Sequence, residues 1–463
     1  MLTSADCRRV VGDARPDDAL VLGAIFPLTG ASASEGLPLA GAMELAATEF
    51  QSNANGLPPR VAGGPARPIV VVECDDGGTV DGATRASRHL VGDLGVPAIV
   101  GGAFSGIAIK ISTGVTIPGG TMLISPSATS VAITDLADQG LVWRTAPSDV
   151  LQAAALVGIL SQIETDVRAA AGFTGDLRVA VLYKGDSYGG GLYGAFAKDA
   201  TFNQKAAVDN GAAFLDFDYG NPDDPASDAP KYDAVGAKIA ALQPHVIAIF
   251  GTEEVVTEIL PRAELAAAGG PAPRYLLADG ARLSEIAQKV AADPTLRARI
   301  VGTSPGTNNA NYKAFLDLYR SKISDGTSPG VFGAAGAYDA TYLLAYAAIA
   351  VGDAPITGAS LAAAMGSLVP RAGAFPTKVG AAQITKASTA LQQGKQLDFD
   401  GASGPLDFDL TTGDALSDIQ LWCVPLGPDG KPTDPQNTSA FYDANLSALT
   451  PNALSAIKTS CNF

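Results

Sequence analysis

Two runs of small, hydroxyl-bearing residues, Gly102-Ala103-Phe104-Ser105-Gly106 and Ser125-Pro126-Ser127-Ala128-Thr129-Ser130, each follow a short apolar stretch. A Ser or Thr hydroxyl beside exposed backbone N–H groups suits a carboxylate as well as a phosphate. Ser105 and Thr129 are therefore candidates for an anion clamp, and a plain helix N-cap is the alternative at each. The carboxylates placed to do chemistry are Glu35, Asp75, Asp76, Glu253, Glu254 and Asp279. Asp279 stands out because it directly follows the apolar run Tyr275-Leu276-Leu277-Ala278. A lone carboxylate at a strand end can pair with a ligand ammonium. Asp75 and Asp76 can equally cap the helix that follows them.

The remaining reactive types narrow the chemistry. Only two histidines exist, His89 and His245, and both fit structural positions on a helix face and before a strand. There is no H-E-x-x-H and no G-x-S-x-G, and Gly189-Gly190-Gly191 lacks the Lys-Ser/Thr of a phosphate loop. No catalytic residue, metal or cofactor is expected. The net charge of -16 argues against a nucleic-acid partner, which needs a basic patch, and against an anionic membrane surface.

The four cysteines, Cys7, Cys74, Cys423 and Cys461, show no C-x-x-C spacing, and four allow three pairings. Cys7–Cys74 and Cys423–Cys461 are preferred because each ties a terminal segment onto a predicted strand; four buried thiols are the alternative. The first thirty residues lack a basic segment followed by an apolar one, which alone reads as cytoplasmic. No stretch is expected to reach the ~18 apolar residues of a membrane span.

The elements that must position these groups alternate regularly. Continuous apolar strands are predicted at residues 20–26, 69–72, 98–100 and 121–124, then at 178–183, 213–217, 246–250 and 275–278. Helix-length segments separate them, at residues 39–50, 79–94, 151–163, 191–200, 311–320 and 338–350 among others. Unalternating strands separated by helices indicate parallel sheets covered on both faces. Residues 216–231, rich in Asp and Pro, read as a solvated loop, and residues 401–424 as antiparallel strands joined by Gly/Asp turns. Hydrophobic residues are 47% of the 463 and charged residues 17%, so wholesale disorder is excluded.

Eight motifs in order, GAIFPLTG with Gly36 and Gly41, VVECDD, IVGGAFSG, MLISPSATS, VWRTAPSD, VLYKGDSYGGG, YDA at Tyr338 and GASGPLDFD, carry a family likeness. The chain resembles the periplasmic solute-binding proteins of the leucine/isoleucine/valine-binding type, which serve ABC importers. The resemblance implies a two-lobed type I periplasmic-binding-protein fold of the α/β class. Its parallel sheets carry helices on both faces, and the chain makes three hinge crossings, with ligand in the cleft between lobes. The expected boundaries are residues 18–146 and 304–378 for lobe 1, 147–303 and 379–422 for lobe 2, and 423–463 for a β-containing C-terminal extension.

The same resemblance assigns roles. The carboxylate of an amino acid would meet Ser105, Ser127 and Thr129 with nearby backbone N–H groups, Ala128 belonging to the same loop. Asp279 would hold the ammonium, where the family usually has a glutamate, and Tyr188 matches a tyrosine of the second-lobe wall. Glu35 and Glu253 fall where leucine-type members carry aromatic residues, and Gly336 and Ala337 are small where an aromatic is common. Two carboxylates against an aliphatic side chain would be poor. The ligand is then polar or cationic, or the two glutamates point to water. The implied partners are a small solute and a membrane permease. The implied location is the periplasm or the outer face of the membrane, with a targeting segment removed. A ligand-sensing domain of the same fold and a small-molecule enzyme on an α/β scaffold are the alternatives.

Overall fold

The computed structural model describes residues 1–12, 18–60, 63–170, 172–306 and 309–461. The chain divides into two compact units, Met1–Pro147 with Thr307–Ser417, and Ser148–Gly306 with Asp418–Phe463. It therefore passes from one unit to the other three times.

In the first unit, six strands lie in the order Arg9–Val11, Ile69–Asp75, Leu20–Phe26, Ala98–Gly101, Met122–Ser125, Val142–Arg144. All pairs are parallel except the edge strand Arg9–Val11, which runs antiparallel to Ile69–Asp75. The parallel strands are apolar along their length because both faces are covered. Cys7 is bonded to Cys74, which fastens the segment leading into the edge strand. The helix Ala334–Ala350 is predominantly apolar and buried from Ala334 to Ile349, so it forms the axis of this core. The helix Ala33–Ala54 packs on it: Phe50 meets Tyr342 at 5.0 Å between ring centroids. The buried Glu49 accepts hydrogen bonds from Tyr338 and, over 2.8 Å, from Tyr342.

In the second unit, eight strands lie in the order Phe214–Asp218, Val179–Tyr183, Val246–Phe250, Arg274–Leu277, Ile300–Pro305, Ile419–Cys423, Gln436–Asp443, Ala448–Leu449. The first five are parallel and the last three antiparallel, so the sheet is mixed. Helix Asp149–Ala169 covers one face, with Leu156, Ile159, Leu160 and Ile163 in its core. By length and composition this helix is apolar enough to cross a membrane, although Gln152, Ser161, Gln162, Glu164 and Asp166 interrupt its apolar residues.

Three expectations are corrected. Residues 379–417, expected in lobe 2, belong to the first unit. There the helix Ile384–Gln392 contributes Ile384, Ala387 and Leu391 to the core, and Leu397–Asp400 pairs with Phe375–Lys378. Residues 423–463 are not a separate extension: they add two strands and the helix Ala453–Cys461 to the second unit, with Cys461 bonded to Cys423. Of residues 401–424, only Ile419–Cys423 is a strand; Phe408 and Ala415 make an isolated bridge.

Candidate functional site

In the first unit the two hydroxyl-rich runs follow adjacent parallel strands, Ala98–Gly101 and Met122–Ser125, and fold onto one another. Ser105 Oγ accepts the backbone N–H of Thr129 over 3.2 Å and of Ser130 over 3.1 Å. Ser125 Oγ accepts the N–H of Ala128 over 3.0 Å and donates to Gly102 O over 2.8 Å. Ser127 Oγ donates to Ala103 O over 2.8 Å. The expected clamp therefore changes in character. The N–H groups of Ala128, Thr129 and Ser130 and the Ser127 hydroxyl are engaged within the loops. The groups left to meet an anion are the Ser105 O–H, on an oxygen already accepting twice, and Thr129 Oγ1, buried without a hydrogen-bond partner.

The loop Pro27–Gly30 is held by Asp75, whose carboxylate accepts from Leu28 N, Thr29 N, Thr29 Oγ1 and Gly77 N. Burial alone would raise the Asp75 carboxyl, but the Thr29 hydroxyl and these three N–H groups hold it below its ordinary value. Asp76 Oδ1 likewise accepts from Gly78 N over 2.8 Å. Both carboxylates serve the turn. Glu35 lies half-buried in the first turn of helix Ala33–Ala54. Gly336 has a packing reason to be small, since a Cβ there would lie 2.5 Å from Thr145 Oγ1 and 2.7 Å from Pro126 O.

In the second unit Tyr188 and Asp279, far apart in sequence, are brought into contact. Asp279 Oδ1 accepts from the Tyr188 hydroxyl over 2.8 Å and from Gln152 Nε2 over 2.7 Å. Gln152 Nε2 also donates to Thr303 Oγ1 over 3.2 Å. All three side chains are buried, Gln152 completely. Burial pushes the Asp279 carboxyl up to about 6, against the Tyr188 and Gln152 hydrogen bonds that pull it down. Burial, then the charges of Asp279 and Asp149, raise the Tyr188 phenol well above its ordinary value, so it stays a donor. Among the described residues no Lys or Arg lies within ion-pair distance of Asp279.

Glu253 follows the neighbouring strand, half-buried, with its Oε2 atom buried and without a hydrogen-bond partner. Beside it Lys184 is completely buried and donates to Asp223 over 2.5 Å and to Thr252 Oγ1 over 3.0 Å, with Asp186 at 3.6 Å. Burial alone would lower the Lys184 ammonium; Asp223 and Asp186 outweigh it and keep the group charged. Glu254 accepts from Tyr219 over 2.6 Å and from Thr252 N and Oγ1. Asp223 comes from the stretch expected to be a solvated loop, and is instead a half-buried partner of Lys184.

Neither histidine joins these groups. His89 bonds Asp93 over 2.9 Å and Leu2 O over 3.2 Å, and His245 Nδ1 accepts Arg178 N over 3.0 Å. Among the described residues no set of three His, Cys, Asp or Glu side chains is arranged to hold a metal ion.

A family model described as periplasmic binding protein matches residues 19–424. The chain belongs to that family. Solved structures of similar fold include the branched-chain amino acid transporter substrate-binding protein of Streptococcus pneumoniae in complex with isoleucine. It is 21% identical, covers 90% of this chain and 99% of its own, and has a TM-score of 0.64. A leucine-binding protein of Thermotoga maritima is 18% identical over 88% of this chain and 95% of its own, with a TM-score of 0.64. An ABC-transporter solute-binding protein of R. palustris in complex with benzoate is 20% identical over 90% and 95%, with a TM-score of 0.63. At these identities the likeness is one of fold. No curated protein matches the sequence.

Within this periplasmic binding protein, the sequence reading missed Gln152, Lys184 and Asp149. Gln152 and Asp149 had a legible signal, because Ser148-Asp149-Val150-Leu151-Gln152 opens a helix and the i, i+3 spacing puts both on one face. Lys184 carried none, since its partner Asp223 lies 39 residues on.

Proposed function

We propose that this periplasmic binding protein captures an amino acid outside the cytoplasm and presents it to the membrane permease of an ABC importer. Asp279 carries the proposal. It is a buried carboxylate fed by two uncharged donors, Tyr188 and Gln152, with no cationic side chain of the described residues at ion-pair distance. A buried charge of this kind calls for a cation, and an α-ammonium supplies one. Within the first unit, the hydroxyls of Ser105 and Thr129 are the candidates for an anionic group. The relatives solved with isoleucine and named for leucine support an amino acid; benzoate, the ligand of the R. palustris relative, would bring no cation to Asp279.

The test is a thermal-shift screen of amino acids and aromatic acids, followed by calorimetry on the wild type and Asp279→Asn. At least one amino acid is expected to stabilise the protein, and the substitution to weaken its binding by about 100-fold or more, the scale for unpairing a buried charge. Equal affinity in the variant, or binding of benzoate with no amino acid binding, would overturn the reading.

A further inference from the structure

We infer that the captured solute carries a second cationic donor group besides its α-ammonium, received by Glu253, so that the ligand class is basic amino acids and close diamino relatives. The inference rests on the amino-acid reading of Asp279 and names the side chain that goes with it.

Placement comes first. Tyr188, Glu253 and Asp279 follow the carboxyl ends of three strands that lie side by side and parallel, Val179–Tyr183, Val246–Phe250 and Arg274–Leu277. Such ends are where open α/β sheets bind ligands. The last two loops abut: a Cβ built on Gly280 would lie 2.4 Å from Gly251 O and 3.2 Å from Thr252 Cα. Glu253 and Asp279 thus share one edge of one sheet.

Two buried acceptors at this edge are unsatisfied, beside one buried donor, Arg282 Nε. Gln152 is completely buried; its Nε2 serves Asp279 and Thr303, while its Oε1 is buried with no partner. Glu253 Oε2 is in the same condition. Buried polar atoms are rarely left unpaired, and here both need an incoming N–H.

The charges point the same way. Among the described residues Lys184 faces four carboxylates, Asp186, Asp223, Glu253 and Glu254, and its close contacts include Asp223, Asp186 and Thr252. Arg282 does not relieve the deficit at Asp279. Its guanidinium reaches Ser304 over 3.5 Å, and strand alternation sends Ser304 to the opposite face from Thr303. An aliphatic ligand side chain would leave Glu253 Oε2 desolvated and unpaired; an ammonium or guanidinium would satisfy it.

Calorimetry of the full chain with L-arginine, L-lysine, L-leucine and L-glutamate tests the inference. Arginine or lysine should bind at least about tenfold more tightly than leucine, and Glu253→Gln should bring that ratio toward one. The wild-type ranking stands as a test even if the variant folds poorly. Leucine binding as tightly as both basic amino acids, or a ratio that survives Glu253→Gln, overturns the inference. In either case, loss of leucine binding in Asp279→Asn would leave the amino-acid reading intact. No binding by any of the four would remove both.

Discussion

Tyr188 gives its hydroxyl hydrogen to Asp279 over 2.8 Å, and the two groups set each other's protonation. The carboxylate keeps the phenol protonated, and the phenol stabilises the carboxylate against burial. Tyr188→Phe removes one of the two side-chain donors on Asp279 Oδ1. It is expected to raise the Asp279 carboxyl further and to weaken amino-acid binding near pH 6 more than at pH 8. An equal loss at both pH values would mean that the ring acts only by packing.

Proton release follows from the same carboxyl. Its value of about 6 lies above the ordinary 3.8, so its contribution to folding is fully present below the ordinary value and is lost as pH rises through about 6. A ligand ammonium favours the ionised form. Binding at pH 5 should therefore expel a proton, and affinity should rise with pH up to about 6 and then level off. Calorimetry in two buffers of different ionisation enthalpy should give different heats at pH 5 and matching heats at pH 8. Matching heats at pH 5 would refute the linkage.

Asp339 organises the loop that places residues 401–417 in the first unit. Its Oδ1 accepts Ala402 N over 2.9 Å, and its Oδ2 accepts Ser403 N and Ser403 Oγ, each over 2.6 Å. Three donors converge on one buried carboxyl, which burial lifts to about 7. Asp339→Asn turns one acceptor into a donor that faces an N–H, at a cost of about 1–3 kcal/mol. Urea unfolding at pH 8 measures it, and a change below about 0.5 kcal/mol, the range of ordinary surface substitutions, would show that the loop is held elsewhere.

Gly336 offers a steric test. Its missing side chain lets helix Ala334–Ala350 sit against Pro126 O and Thr145 Oγ1. An aromatic, which the family resemblance makes common at this place, has no space at Gly336 without moving the loop that carries Ser127, Ala128 and Thr129. Gly336→Ala should cost about 1–3 kcal/mol by overpacking and should lower ligand affinity as well. A neutral melt would show that the loop gives way easily.

Much of the architecture was legible because it rests on local pattern. The strands Leu20–Phe26 and Val246–Phe250 are unbroken apolar runs, and both have the bounds that the pattern indicated. Residues 379–417 were misplaced because nothing local tells which unit a helix such as Ile384–Gln392 joins; its core contacts and the Asp339 hydrogen bonds decide that over a long sequence distance. The site divides in the same way. Hydroxyls and carboxylates at strand ends could be named one by one, but which oxygen accepts which N–H is a matter of loop geometry. Hence Ser105 emerged as a candidate, while its engagement with Thr129 N and Ser130 N did not.

Lys184 puts the electrostatics of the second unit to a pH-resolved test. Its ammonium is completely buried, bonded to Asp223 and close to Asp186, and both carboxyls are raised by burial even with the lysine present, Asp223 to about 6. Lys184→Met removes the cation and leaves the carboxylates buried among themselves, at a cost of about 3–5 kcal/mol at pH 8. Without Lys184 the Asp223 carboxyl rises further, so it takes up its proton earlier as pH falls and the deficit relative to wild type should shrink by pH 5. Adding Asp223→Asn to Lys184→Met should recover part of the loss at pH 8, because it removes one unpaired charge. Urea unfolding of the single and double variants at both pH values separates charge from packing. A deficit of the same size at pH 5 and pH 8, unrelieved in the double variant, would mean that the aliphatic stem of Lys184 matters and its charge does not.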